Sequence, residues 1–285
     1  MITQGQIEAA IHELGLAGQP ICLHASLRSF GWVDGGAQSV IDGLLAADCT
    51  ILVPTFSDEY AVAPLPTMQR PRNGTDYVWA MQQSWPGVNK IYTPESNALE
   101  VAEMGVIPQT VLQMEGRQRG NHPLCSFAAI GPQAEELIIA QSPLAVNAPL
   151  TTLVALGGTV LLTGVGLASM TLLHLAEEEA GRNLFRRWAR DHTGRTIEVE
   201  MGGCSDGFES LAPILAPFER WIMVGSSQWR SYPAAETVAA AAAAIRRDPM
   251  ITHCGKSPCR CDDAILGGPI LSGAVNSHHQ ASLPD

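Results

Sequence analysis

The sequence predicts an α/β protein, and three observations carry that prediction. Pro20-Ile21-Cys22-Leu23-His24 reads as a short buried strand, Ala37 to Ala47 has helical spacing through Val40, Ile41, Leu44 and Leu45, and Thr50 to Phe56 reads as a second strand. A strand, loop, helix and strand in that order mark a parallel sheet, because parallel neighbours need a crossover. Thr159 to Thr163 is a further buried strand, followed by Gly164-Val165-Gly166 and by helical spacing from Ala168 to Glu179. Finally, 46% of the 285 residues are hydrophobic and 16% charged, which gives a globular chain able to build a sizeable core without disulfide staples.

The remaining elements follow in order. Residues 5–16 read as an amphipathic helix ending near Gly18. Residues 58–95 look irregular, with Pro64, Pro66, Pro71 and Pro86 and the pair Trp79 and Trp85. A loop of that length is expected to be a lid or an insert that shapes a site. Gly105 to Met114 reads as a helix, Ser126 to Ile130 as a strand, Pro132 to Ile139 as a helix, and residues 194–201 as an alternating strand. Pro233 to Arg247 is an Ala-rich helix with its proline at the start, where a missing N–H costs little. Leu137 to Leu173 carries no Asp, Glu, Lys, Arg or His, but Pro143, Pro149 and Gly157-Gly158 interrupt it, so it reads as core strands and turns, not as a membrane span. The expected organisation is one domain over residues 1–265, with 266–285 a tail that frays after Ser272.

Charge narrows the partners. The balance of 17 Lys and Arg against 28 Asp and Glu gives −11, which disfavours nucleic acid and suits a cationic small molecule. No nucleic-acid or membrane partner is expected, and the chain is expected to be a monomer or homodimer. The seven cysteines are odd in number, four of them are scattered singly, and no secretory segment opens the sequence, so a reduced cytoplasmic protein is the expectation.

Five short constellations carry chemistry. In Thr171-Leu-Leu-His174-Leu-Ala-Glu177, the three-residue spacings put Thr171 and His174, and His174 and Glu177, on one helix face at the sheet end where α/β sites sit. A His beside a carboxylate can take a proton at neutral pH, although the same spacing also fits a solvated helix face. His24-Ala-Ser26-Leu27-Arg28-Ser29 offers small hydroxyls, free N–H groups and an Arg ahead of a helix N-terminus, either a phosphate cradle or an ordinary loop. It matches neither the Walker loop nor the dinucleotide fingerprint. His122-Pro123 sits in a turn before a strand. Gly202-Gly-Cys204-Ser-Asp206-Gly-Phe208 holds a thiol, and Cys204 or Cys125 as an acyl carrier is a competing reading without a visible partner. His253-Cys254 with Cys259 and Cys261 lacks the two-knuckle spacing of structural zinc, so no metal is expected and those cysteines stand as a weak metal candidate; a non-enzymatic metal-binding protein built on them is the remaining alternative.

In order along the chain, His24-Ala-Ser-Leu-Arg-Ser-Phe-Gly31, Gly35-Gly36, Val53-Pro-Thr-Phe-Ser57, Pro94-Glu-Ser96, Gly105-Val-Ile-Pro108, His122-Pro-x-x-Ser126-Phe127, Leu162-Thr-Gly-Val-Gly166, Thr171-x-x-His174-x-x-Glu177 and Gly203-Cys-Ser-x-x-Phe208 resemble the aminoglycoside 3-N-acetyltransferase family of antibiotic N-acetyltransferases. The resemblance runs from about residue 5 to about residue 250. It departs at Asn121, where the family often has Ser, and at Met170, where it often has Asn.

The resemblance implies a mixed central sheet flanked by helices, distinct from the GNAT fold, and acetyl-CoA as cosubstrate with no metal required. It implies transfer of acetyl to the 3-amino group of the 2-deoxystreptamine ring, which removes a charge the drug needs on ribosomal RNA and so confers resistance. The alternative keeps fold and donor and changes the acceptor to another amine metabolite. By the same resemblance His174 is the general base, Glu177 orients it or holds the cationic sugar, and Thr171 places a hydroxyl near the thioester carbonyl. His24, Ser26, Leu27, Arg28, Ser29, Gly35, His122 and Ser126 would seat CoA. Asp58, Glu59, Glu95, Glu178 and Asp206 would receive the cationic acceptor.

Overall fold

A computed structural model describes residues 1–271. Its strands are β1 (Pro20–Ala25), β2 (Thr50–Pro54), β3 (Gln118–Arg119), β4 (Phe127–Ile130), β5 (Thr159–Thr163), β6 (Phe185–Arg190), β7 (Thr196–Met201), β8 (Arg220–Val224) and β9 (Ser227–Pro233). Seven form one sheet in the order β3-β4-β2-β1-β5-β9-β8, and β6 with β7 forms a separate ribbon. At the centre β1 lies parallel to β2 and to β5, and every other pairing is antiparallel. The sheet is therefore mixed around a parallel core.

The three parallel strands are almost wholly buried, with apolar centres, because helices cover both faces. Alternation along β1 divides the core. Ile21 and Leu23 join Ile51, Val53 and Leu161 beneath the helices Gln4–Leu14, Gly36–Ala46 and Val106–Gln113. Cys22 turns to the opposite face, with Leu52, Val160 and Leu162, beneath Ala148–Ala155, Leu172–Glu179 and Ala234–Arg247. His24 has the parity of Cys22, so it reaches toward the helix Leu172–Glu179.

The departures from expectation have local causes. The first helix stops at Leu14 because Gly15, at φ 72°, forms its left-handed cap. Instead of one helix from Ala168, a short turn at Leu167–Ser169 precedes Leu172–Glu179, with Met170 extended between them and its side chain buried. Strands β6 and β9 were illegible because Arg186, Arg187, Arg190, Gln228 and Arg230 break their apolar patterns. Segment 58–95 forms short turns anchored on the ribbon: the Asn73 amide donates to the Arg186 carbonyl at 2.9 Å and accepts its N–H at 2.6 Å. The expected fraying after Ser272 lies outside the described residues. Among the described residues no helix is long and apolar enough to cross a membrane.

His122 and Ser126 are part of the scaffold. His122 is fully buried, and its Nδ1 accepts the N–H groups of Leu124 and Cys125 at 3.3 and 2.8 Å. The Ser126 hydroxyl accepts from Arg119 Nε at 3.0 Å and meets Thr55 Oγ1 at 3.0 Å. Neither residue lines the principal cavity. Burial lowers His122 from the ordinary 6.5 to about 4, and does the same to His24. Both imidazoles therefore fold neutral, and below the unfolded value the unfolded chain binds more protons. Stability is expected to be complete above pH 6.5 and to fall toward pH 4, with each buried His contributing a slope of up to about 1.4 kcal/mol per pH unit. Urea unfolding across pH 7.5–5 checks this, and a flat profile would refute it.

Candidate active site

The carboxyl ends of β1, β2 and β5 open onto a cavity of 440 Å³. Its lining includes His24, Phe56, Cys125, Thr171, His174 and Gly202. Open parallel sheets place their sites at this edge, because the strands end there and the loops diverge.

His174 projects from the helix Leu172–Glu179 into this space. Its Nδ1 lies 2.8 Å from Glu177 Oε2, one helical turn on. A carboxylate only accepts, so Nδ1 donates and Nε2 carries the lone pair of the neutral ring. No described residue hydrogen-bonds that Nε2, and the side chain is 13% exposed. Phe208 stands edge-on to the ring at 5.0 Å between centroids. On another side Gly202 touches the ring so closely that a Cβ there would fall 2.6 Å from His174 Cδ2. The imidazole is therefore held by hydrogen bond and by shape.

Glu177 is held in turn. Its Oε1 accepts from Arg182 Nη1 at 2.5 Å, and Arg182 also reaches Thr252 Oγ1 at 2.8 Å and the Pro249 carbonyl at 2.6 Å. The local sequence explains how. Gly181, at φ 99°, reverses the chain, with Gly181 N–H on the Glu178 carbonyl and Arg182 N–H on the Glu177 carbonyl. That is the Schellman end of a helix, and it swings Arg182 back beneath Glu177. Sequence reading found His174 and Glu177 and missed Arg182; the Ala180-Gly181 stop was its signal.

Thr171 begins the same helix, and its Oγ1 lies 3.3 Å from His24 Nε2. Burial keeps His24 neutral, so the pair is a dipolar hydrogen bond that ties the end of β1 to the helix start. In the loop after β1, Ser29 is committed to the fold: its Oγ donates to the Ser26 carbonyl at 2.7 Å and meets Ser227 Oγ at 2.7 Å. The Ser26 hydroxyl makes no capping bond, and Arg28 is exposed and without a hydrogen-bond partner among the described residues. Leu27 is half-buried against the core of the Gly36–Ala46 side. Gly35, at φ 76°, begins the helix Gly36–Ala46 with no side-chain cap, which leaves that N-terminus open to an anion.

The acidic candidates do not converge on His174. None of Asp58, Glu59, Glu95, Glu178 and Asp206 lines the cavity. Glu59 pairs with Lys90, Asp206 with Lys256, and Glu178 with the Asn147 amide. Glu95 sits in a separate groove beside Arg117. Asp58 acts electrostatically on Cys125, which does line the cavity, and the lining carboxylate that the sequence did not mark is Glu103. The Cys125 thiol is pushed up to about 12 by burial, which removes it as a thiolate nucleophile near neutral pH. Cys254 and Cys259 gather with Cys204, whose loop supplies Gly202, Gly203 and Ser205 to the cavity wall.

The family model described as aminoglycoside 3-N-acetyltransferase matches residues 22–246. The chain belongs to this family. It is 33% identical over 183 residues to aminoglycoside N(3)-acetyltransferase IX of Micromonospora chalcea, covering 62% of each chain. It is 30% identical over 223 residues to aminoglycoside N(3)-acetyltransferase VIII of Streptomyces fradiae, covering 69% of this chain and 73% of that one. The match thus spans about three fifths of the length of the first of these relatives. Among solved structures, the aminoglycoside acetyltransferase AAC(3)-IVa apoenzyme superposes with a TM-score of 0.72 at 25% identity, over 93% of this chain and 97% of that one. A histidine-to-alanine mutant of the same enzyme, in complex with a gentamicin, gives the same score and identity.

Since both Glu177 oxygens are occupied and the carboxylate is buried, removing its guanidinium would leave a poorly compensated charge. Arg182→Met is expected to lose about 3–5 kcal/mol of unfolding free energy. Denaturant unfolding measures it, and a loss below about 1 kcal/mol would show that the pair is not what holds Glu177.

Proposed function

We propose that this chain is an acetyl-CoA-dependent N-acetyltransferase that modifies the 3-amino group of the 2-deoxystreptamine ring of aminoglycosides, and so confers resistance to them. The observation that carries this reading is the unpartnered His174 Nε2 in the cavity, with its other nitrogen fixed on buried Glu177. Amines are mostly protonated near neutral pH, so attack on a thioester needs a base, and this nitrogen is placed to take the proton. Glu177, held by Arg182, positions the ring and stabilises the imidazolium that forms. Both act through His174 and do not touch the acceptor, so the role of Glu177 is orientation, not sugar binding.

The remaining groups divide between the two substrates. Thr171, turned by His24, supplies a hydroxyl on the same helix face as His174, suited to the thioester oxygen as charge develops there. The Ser26 hydroxyl, the Arg28 guanidinium and the open N-terminus of Gly36–Ala46 lie outside the cavity lining and are donors of the kind suited to a pyrophosphate. Glu103, the carboxylate in the cavity lining, is best placed for a polycationic acceptor, and segment 58–95, anchored on the ribbon, is its lid or insert. The direct route needs no acyl-enzyme: holding thioester and amine together supplies much of the rate. Relatives whose names specify the N(3) position favour this acceptor over another amine metabolite. The domain is assigned to residues 1–265.

Thiol release from acetyl-CoA, measured against aminoglycosides with and without an accessible 3-amino group, tests the reading. Release is expected only with that group. His174→Ala is expected to lower kcat by roughly 10²–10⁴ with the KM for acetyl-CoA unchanged. Silence across the panel with CoA binding intact by calorimetry moves the acceptor to a different amine, and near-parent turnover of His174→Ala removes the base.

A separate kinetic split tests the donor site. Arg28→Ala combined with Ser26→Ala is expected to raise the KM for acetyl-CoA roughly tenfold or more, with little change for the acceptor. A rise confined to the acceptor would place CoA elsewhere.

A further inference from the structure

Four thiols meet beside the cavity wall. The sulfurs of Cys204, Cys254 and Cys259 all lie within 4.8 Å of one another, and Cys254 Sγ is 3.5 Å from Cys261 Sγ. Cys204 comes from the loop after β7, whereas the other three come from the segment after residue 253, so the fold brings together cysteines some fifty positions apart in sequence. Tetrahedral zinc–thiolate bonds of about 2.3 Å hold their sulfurs about 3.8 Å apart. The Cys254–Cys261 spacing is close to that, and the Cys204, Cys254 and Cys259 sulfurs would draw together by no more than about 1 Å; Cys261, outside that mutual 4.8 Å group, would join it through its contact with Cys254. We propose that Cys204, Cys254, Cys259 and Cys261 bind one structural zinc ion.

The surroundings support a metal over four free thiols. The Lys256 N–H donates to Cys254 Sγ at 3.4 Å, the kind of bond that supports a ligating thiolate from its outer side. Four thiolates around Zn²⁺ leave two net negative charges. Lys256 lies beside them, with its ammonium 2.8 Å from Asp206, two residues beyond Cys204. That ion pair joins the same two segments as the thiols. His253, the other ligand type at hand, is engaged elsewhere: its Nδ1 accepts the Gly255 N–H at 3.0 Å and its Nε2 lies 3.2 Å from Asp262. The fourth position therefore falls to Cys261. Binding releases a proton from each thiol that ligates, with no redox change.

Sequence spacing hid this site. Cys254, Cys259 and Cys261 do not form two knuckles, and Cys204 looked like a lone thiol or a nucleophile. In the fold it is the strand-side ligand. The consequence is mechanical. Gly202, two residues before Cys204, lies against His174, and Asp263, two residues after Cys261, accepts the Gly74 N–H at 2.8 Å. A metal here would clamp the active-site wall to the C-terminal segment and, through it, to the 58–95 insert.

Elemental analysis of the full chain, purified without chelator, tests the site directly and independently of any acetyl transfer. The result expected is about one zinc per chain, retained in Cys49→Ala and reduced at least tenfold in Cys204→Ser and in Cys259→Ser. Cobalt exchanged into the parent protein is expected to show thiolate charge-transfer bands and the intense visible bands of a tetrahedral ion. This measurement does not depend on whether the variants fold. A parent chain that takes up no zinc on dialysis against it, a Cys254–Cys261 disulfide in the intact mass, or undiminished zinc in Cys204→Ser would each overturn the proposal.

Discussion

Glu177 is a carboxylate almost without water around it, and everything in the candidate site depends on how that charge is compensated. A lone buried carboxylate would take up a proton and lose its hold on the imidazole. Here one oxygen faces His174 and the other faces Arg182. The guanidinium is itself fixed by Thr252 and by the Pro249 carbonyl. The ring that faces the cavity is thus the outer end of a chain of charge-assisted bonds that begins in the segment after the Ala234–Arg247 helix. Such bonds set direction as well as energy, since the donors have a fixed geometry. A base held by one flexible contact would lose rate to every rotamer it sampled.

The same logic explains which parts of the fold were legible in sequence. The strands β1, β2 and β5 are continuous apolar runs between loop signals, and burial on both faces is what makes them so. His174 and Glu177 were legible because a three-residue spacing survives folding unchanged: a helix carries its own geometry. Arg182 was hidden because its approach to Glu177 depends on the turn at Gly181, beyond the helical spacing that ends at Glu179. Strands β6 and β9 were hidden because their pairing is antiparallel and partly exposed, with arginines and serines at positions where a buried strand would show Val or Ile.

The acidic residues show the limit of reading charge from a list. Asp58, Glu59, Glu95, Glu178 and Asp206 lie in or beside matching motifs, yet Glu59 and Asp206 are neutralised by Lys90 and Lys256, and Glu178 holds Asn147. A carboxylate already paired attracts a cation less than its formal charge suggests. What counts is charge that faces the cavity, and that is decided by long-range packing. Glu103, from the short helix Val101–Met104, reaches the lining from just outside the Gly105-Val-Ile-Pro108 motif. The serines after β1 divide the same way: Ser29 is consumed by Ser26 and Ser227, while the Ser26 hydroxyl stays open.

The cysteines turn on the same distinction between a residue and its surroundings. Cys125 faces the cavity, where a nucleophile would have to be, but burial pushes its thiol up to about 12, and among the described residues the thiol makes no hydrogen bond to a base. An acyl-cysteine route would need that thiolate. The proposed direct attack would need instead a base whose free nitrogen faces the cavity, and His174, its other nitrogen held by Glu177, lines that cavity. Among the described residues it is the only cavity-lining imidazole hydrogen-bonded to a carboxylate, since His24 is neutral and turned onto Thr171. Base and nucleophile are thus separated by environment alone: the group that can accept a proton is kept open and oriented, and the group that could form a covalent intermediate is kept protonated.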